Sequence, residues 1–286
     1  MVDLLTAILN IYNYNNFNLN NYSKTSSNRI NQVGDSLEYY IKDAFSNSFN
    51  FSNQKTKKMN YADSFSYQGS KNHPPDLILK NSDSFEIKKS ESKGNIHLNS
   101  SSPKDFLYND DPRIHTDCRN SEGGKWKKKD IFYIIGYCKS DELNSLFFVH
   151  ALTFISNKET YLGPWETLQN GISNLTKKYP SLHPKITTEL GGIENVDPLK
   201  ITNLRIRGMW MMDNPFKIFK TQLNHDSNKK FSLFCLLTTK KFETYPKNSI
   251  SSLKSHKNIS VSGLSITDPN NTKKSLDATL IKFEKP

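Results

Sequence analysis

HPPDLILKNSDSFEIKKSES, residues 73–92, is the stretch on which the reading of this chain turns. Two short apolar runs, Asp76 to Lys80 and Phe85 to Lys89, are separated by NSDS, and the first follows a Pro-Pro turn. Short β-type runs bounded by Asn, Asp, Ser and Pro are strand signals, and this spacing predicts two adjacent antiparallel strands. Glu86 and Lys88 stand two apart, so on a strand their side chains share a face. A hairpin brings Asp76 alongside that face, and two carboxylates then converge with one ammonium.

Outward from the hairpin, the N-terminal MVDLLTAILN predicts a short apolar helix, followed by an Asn-rich connection to about Arg29. NQVGDSLEYYIKDAF, Asn31 to Phe45, places Val33, Leu37, Tyr40, Ile41 and Ala44 on one helical face. Asp35 or Ser36 is the expected cap, and Glu38 lies close to the apolar stripe. Ala62 to Gly69 alternates weakly as a strand. The region from Gly94 to Lys129 is polar and irregular, with a helix expected around Asp117 to Lys128. IFYIIGYC, Ile131 to Cys138, reads as a buried central strand, and LFFVHAL, Leu146 to Leu152, as its neighbour. Pro164 to Tyr179 is expected to be helical, with strands at Ile201 to Trp210 and Phe231 to Thr238. This is a mixed α/β pattern without strict βα alternation. It contains no internal repeat and no linker long enough to separate two domains.

The composition bounds the function. The 286 residues carry 39 Lys and Arg against 28 Asp and Glu, a net charge of +11. The isoelectric point is near 9.3 and the mean hydropathy −0.67. Only five of the cationic residues are Arg: Arg29, Arg113, Arg119, Arg205 and Arg207. A Lys- and Asn-rich, Arg-poor chain also arises from AT-rich coding, so the total charge by itself fits a solvated surface as well as a polyanion partner. The scarce Arg are more informative, because each offers a planar five-donor fork. The three cysteines and seven histidines are dispersed, fitting neither a disulfide framework nor a Cys/His metal site. No run approaches the length of a transmembrane helix and no secretory leader pattern is present. The 12% aromatic content argues against a disordered polycation. A soluble, folded, basic intracellular protein is expected.

The converging residues suit hydrolysis of a phosphodiester. Asp76 and Glu86 supply hard oxygens for Mg²⁺, and the carbonyl of Ile87 can complete the shell. The metal polarises the phosphate and lowers the pKa of a bound water. Lys88 can hold or activate that water and neutralise developing charge. The pattern Pro75-Asp76 with Glu86-Ile87-Lys88 matches the PD-(D/E)xK nuclease signature. The alternative is an exposed hairpin with solvated charges, against which stand the apolar flanks, the long strand that follows and the helix that precedes. Nucleases of this kind often carry a helix acid near the metal, which adds Glu38 as a candidate ligand; a plain i,i+4 pair with Lys42 is its other reading. Asn99, Ser100, Ser101 and Lys104, in IHLNSSSPK, suit hydrogen bonding to phosphates. Arg205 and Arg207 share a strand face and are candidates for bidentate reading of guanine, with Asn203 beside them; a structural salt bridge is their other reading. Trp210 is expected in a core.

With these residues assembled, the chain resembles type II restriction endonucleases of the NgoPII family. The resemblance is carried by NRINQVGDSLEYYIKDAF, NHPPDLILK with FEIKKSESK, LNSSSPK, VDPLKITNLRIRGMWMMDNPF and DATLIKFE, and covers nearly the whole chain. It implies an α/β, restriction-endonuclease-like core with a central mixed sheet flanked by helices. It also implies a Mg²⁺-dependent enzyme cutting double-stranded DNA at GGCC, with Asp76, Glu86 and Lys88 as the catalytic set. GGNCC or another GC-rich palindrome is the alternative target, and a palindrome implies a homodimer. One domain over residues 1–286 is expected, with a catalytic core at about 31–152 and DNA-recognition and dimer contacts from 153–286. A structure-specific repair nuclease and a non-catalytic DNA-binding protein are the competing functions.

Overall fold

The computed structural model describes residues 2–22, 29–69, 73–92, 94–139, 141–179, 183–184 and 189–286. In chain order the elements begin with helices α1 (Leu4–Tyr14), α2 (Arg29–Ser46) and α3 (Gln54–Ser64). Strands β1 (Phe65–Tyr67), β2 (Leu77–Leu79), β3 (Ser84–Ser90), β4 (Ile96–Asn99) and β5 (Phe106–Tyr108) follow. Next come α4 (Thr116–Asn120), β6 (Lys128–Lys139), β7 (Glu142–His150), α5 (Lys158–Lys177), β8 (His183–Pro184), β9 (Gly191–Glu194), β10 (Leu204–Ile206) and β11 (Trp210–Met212). The C-terminal part holds α6 (Pro215–Ile218), α7 (Lys220–Leu223), β12 (Phe231–Thr238), α8 (Thr239–Phe242), α9 (Lys247–Ser255), β13 (Ser260–Asp268) and β14 (Asn271–Lys285). No helix among the described residues is long and apolar enough to cross a membrane.

The chain forms two compact units. The first comprises Met1–Gly94, Asp105–Ile155 and Asp213–Pro286. Its centre is a mixed sheet in the order β1-β2-β3-β6-β7-β12-β14-β13, with β5 also paired to β6. β3 runs parallel to β6 and β12 parallel to β7, while the remaining pairs are antiparallel. This is the α/β fold with a large central mixed sheet flanked by helices that the sequence implied. Alternation along β6 explains why IFYIIGYC is apolar throughout. Phe132 and Ile134 join the core with Leu4, Leu5, Ile8, Leu37, Tyr40, Ile41 and Phe45 of α1 and α2. Ile131, Tyr133 and Ile135 alternate with them and are buried too. A strand covered on both faces needs no polar alternation.

Two polar networks hold the surroundings of the β2–β3 hairpin. Glu122 Oε1 accepts from the Asn81 N–H in the β2–β3 turn and from Ser66 of β1, and its other oxygen accepts from Lys129 of β6. Lys241 of α8 bridges Asp83 at 2.5 Å and Asp130 at 2.8 Å, just ahead of β3 and within β6. Tyr245 donates to Asp83, and His150 lies 3.2 Å from Asp130.

The second unit comprises Asn95–Lys104 and Ser156–Met212. It holds α5, the small antiparallel sheet β10-β9-β8 and the β11–β4 pair. Trp210 is half-buried, stacks on Trp165 of α5 and meets Tyr161 edge-on.

Several local expectations change. α2 begins at Arg29, so Asp35 and Ser36 lie inside the helix and do not cap it; the side chains of Val33 and Asp35 lie outside the described residues. The segment read as a weak strand from Ala62 is helical through Ser64 and extended only over Phe65–Tyr67. The helix expected over Asp117 to Lys128 ends at Asn120, because Glu122, Gly123 and Gly124 adopt left-handed backbone. Ile201 to Trp210 is not one strand: β10 pairs with β9 and β11 with β4. Between them, a Cβ on Gly208 would lie 2.6 Å from the Trp165 ring, so the chain passes that ring closely at a glycine.

Candidate active site

β2 and β3 pair antiparallel through Leu77↔Phe85 and Ile78↔Ser84, as the hairpin reading predicts. The Pro74–Pro75 peptide is cis, and Asp76 follows it at the mouth of the hairpin. The Asp76 N–H donates to Phe85 O at 3.0 Å, the last backbone bond between the two segments in this direction. Beyond it no described strand pairs with this edge of β3, and the Ile87 N–H donates instead to Asp76 Oδ2 at 2.5 Å. In an extended strand a residue's N–H and C=O project toward the same edge, so the Ile87 carbonyl faces it too.

Glu86 and Lys88 share a face, and Lys88 Nζ lies 2.6 Å from Glu86 Oε1. Their side chains are only 13% and 22% exposed. Glu86 Oε2 is buried with no hydrogen-bond partner among the described residues. A buried carboxylate oxygen without a donor is costly and is the atom a cation would satisfy. Burial, followed by the charge of Glu86, pushes the Asp76 carboxyl well above the usual carboxylate range, although Lys88 and the Ile87 N–H act against the rise. Burial alone would pull Lys88 down, but Glu86 and Asp76 outweigh it and hold the ammonium above its ordinary value.

Glu38 is near enough to Asp76 to add to that rise. It pairs with Lys42 one turn on, at 2.7 Å, as the i,i+4 reading expects. Among the described residues no group of three or more His, Cys, Asp or Glu side chains is arranged to hold a metal ion. The donor set at the hairpin is therefore two carboxylates and one backbone carbonyl. These hard oxygens suit Mg²⁺, which keeps several waters of its own.

Gly69 escaped sequence reasoning. It has φ +64°, and a Cβ built on it would sit 2.8 Å from the Asp76 carbonyl oxygen. A glycine shortly before a Pro-Pro turn is the only sequence signal for it.

The chain also matches known proteins along its length. A family model described as NgoPII restriction endonuclease covers residues 2–268. The type II restriction enzyme NgoPII of Neisseria gonorrhoeae is 34% identical over 284 residues, spanning 99% of each chain. The chain belongs to the NgoPII restriction endonuclease family. No solved structure matches it.

As a member of the NgoPII family it is a type II restriction endonuclease. The remaining residues singled out in the sequence, Asn99, Ser100, Ser101, Lys104, Asn203, Arg205 and Arg207, all fall in the second compact unit. The side chain of Asn99 lies outside the described residues. Ser101 Oγ is buried without a partner among the described residues, and Lys104 is buried. Asn203 Oδ1 accepts from the Asn195 N–H, bracing the β9–β10 turn. Arg205 and Arg207 are well exposed and both grip Glu189, a partner that no local sequence signal announces.

Proposed function

We propose that this restriction endonuclease hydrolyses double-stranded DNA in a Mg²⁺-dependent reaction at a short GC-rich palindrome, GGCC, using Asp76, Glu86 and Lys88. The observation that carries the reading is the convergence of these three groups beside one buried carboxylate oxygen that has no partner among the described residues. Asp76, Glu86 and the Ile87 carbonyl would hold the metal, with Glu38 as a further carboxylate near Asp76. When bound, Mg²⁺ polarises the phosphate and makes a bound water more acidic. The Ile87 N–H keeps the Asp76 carboxylate aimed at this edge of β3. Lys88, kept protonated by the carboxylates around it, orients the attacking water and opposes the negative charge that builds on the phosphate.

Site choice is assigned to the second unit. Arg205 and Arg207 each present donors that match guanine O6 and N7, and a half-site GG offers two guanines. Asn203, Asn99 and Ser100 are assigned to supporting contacts with the DNA, and Ser101 and Lys104, whose buried groups lie in the same segment, to contacts that need that segment to open toward the DNA. A palindrome read by identical subunits calls for a homodimer with one active site per strand. GGCC rests on kinship and on these two arginines; GGNCC is the nearest alternative. The enzyme would work in the cytoplasm of a bacterial or archaeal cell.

The test is digestion of a DNA of known sequence with Mg²⁺ or with EDTA, followed by mapping of every end. Discrete fragments ending within one palindrome, formed only with Mg²⁺ and lost in Asp76→Asn and Lys88→Ala, are expected. Cutting that persists in either variant, or ends scattered without a common sequence, would overturn the reading.

A further inference from the structure

The second unit contains a three-residue ionic assembly. Arg205 binds Glu189 side-on through two bonds, Nε to Oε2 at 3.1 Å and Nη2 to Oε1 at 2.7 Å. Arg207 reaches the same carboxylate, with Nε 3.0 Å from Oε1. The carboxylate is 11% exposed, whereas the two arginine side chains are 67% and 62% exposed. A guanidinium carries five N–H donors. Glu189 uses two from Arg205 and one from Arg207; among the described residues no other acceptor takes the rest, and both arginine side chains stand largely in solvent.

The scaffold beneath is anchored at both ends. The Glu189 carbonyl accepts from Gln169 of α5 at 2.7 Å. β9 follows directly and pairs Gly192 with Arg205. On the far side of Arg207, Gly208 lies against Trp165, also of α5. The bonds to Arg205 and the charges of both arginines hold the Glu189 carboxyl below the usual carboxylate range, so it stays ionised at neutral pH.

The geometry points to Glu189 as a specificity-determining positioning residue: it locks Arg205 and Arg207 so that their uncommitted N–H edges meet base acceptors, and it cancels one of their two charges. This rests on the reading of Arg205 and Arg207 as base readers. Pre-ordering a long side chain removes the rotamer entropy it would otherwise lose on binding. Cancelling a charge weakens attraction to phosphates, which is blind to sequence. Both effects favour the correct site over other DNA.

The test compares Glu189→Gln, Glu189→Asp, Arg205→Lys and Arg207→Lys with the parent, each checked for folding by thermal unfolding. Two quantities are measured: cleavage of a duplex bearing the mapped site against duplexes with one base pair changed, and Ca²⁺-supported binding to a site-free duplex across salt concentrations. Glu189→Gln is expected to lower discrimination about tenfold, within the span of one bidentate base contact. Site-free binding should tighten and its salt dependence steepen by up to about 0.9 in the log–log slope, as for one added phosphate contact. Glu189→Asp, which keeps the charge, should recover part of both effects. A purely structural role would weaken both kinds of binding together. If the arginine variants lose discrimination and Glu189→Gln does not, the role of Glu189 is overturned while base reading stands. If the arginine variants weaken all duplexes equally, the base reading fails, and the role of Glu189 with it.

Discussion

Gly69→Ala probes how the fold aims Asp76. At φ +64° the substitution places an L-residue in left-handed backbone, which costs about 1–2 kcal/mol. The new Cβ would lie 2.8 Å from the Asp76 carbonyl oxygen, against about 3.3 Å or more for a favourable carbon–oxygen contact. About 0.5 Å must open between the two segments. Crowding of this sort costs about 1–3 kcal/mol, so a total near 2–5 kcal/mol and a Tm lower by about 3–8 °C are expected. Asp76 is tied to Phe85 by its N–H and to Ile87 by its carboxylate, so the displacement is carried into the groups that meet at β3. A misplacement of about 1 Å can cost about a hundredfold in rate, and half that shift about tenfold. The assay is single-turnover cleavage of a site-bearing duplex under saturating enzyme and Mg²⁺, at a temperature where the variant is fully folded. Gly171→Ala is the control: it lies in α5, its Cβ would meet nothing within 4 Å, and its stability should hold or rise by about 0.4–1 kcal/mol with an unchanged rate. A Gly69→Ala enzyme with a lower Tm but the parental rate would refute the idea that Gly69 positions Asp76. A parental Tm as well would refute the close approach itself.

Lys88→Ala should slow single-turnover cleavage by about 10²–10⁴-fold while Ca²⁺-supported binding to the site persists, as measured by gel shift. Mg²⁺ should raise the Tm of the parent and not of Asp76→Asn, which lacks one of the proposed ligands; equal shifts in a thermal melt would remove Asp76 from the metal site. Lys241→Met leaves Asp83 and Asp130 without their cation, a loss of about 3–5 kcal/mol in urea unfolding. Burial opposes ionisation of Asp130, but His150 and Lys241 outweigh it and hold the carboxyl below its ordinary value. Its contribution is therefore present above about pH 4 and lost as pH falls through the lowered native value. The urea midpoint of Asp130→Asn should accordingly approach that of the parent in strong acid; a difference unchanged from neutral pH would exclude the linkage.

Legibility in the sequence followed the nature of each interaction. The β2–β3 hairpin was readable because its strands are short apolar runs closed by turn residues, and the period of two then put Glu86 and Lys88 on one face. β6 and β12 were readable because burial on both faces leaves an unbroken apolar run. β13 and β14 were not, since much of β13 is exposed and rich in Ser, and only its long pairing with β14 makes it a strand. The division of the segment from Ile201 to Trp210 was hidden for a similar reason, because it depends on Trp165, some forty residues earlier in the chain.

The sequence alone determined the family, the mixed α/β class and the placing of Glu86 and Lys88 on one face of a hairpin with Asp76 at its mouth, because those rest on local period, on turn chemistry and on residue types at fixed short spacings. The tertiary structure alone decided the sheet order, including the parallel β3–β6 and β7–β12 pairs, and the contacts of Gly69 with Asp76 and of Glu189 with Arg205 and Arg207. Such contacts join residues far apart in sequence, and their energies come from close packing and from charge brought together out of water. No periodicity along the chain encodes either.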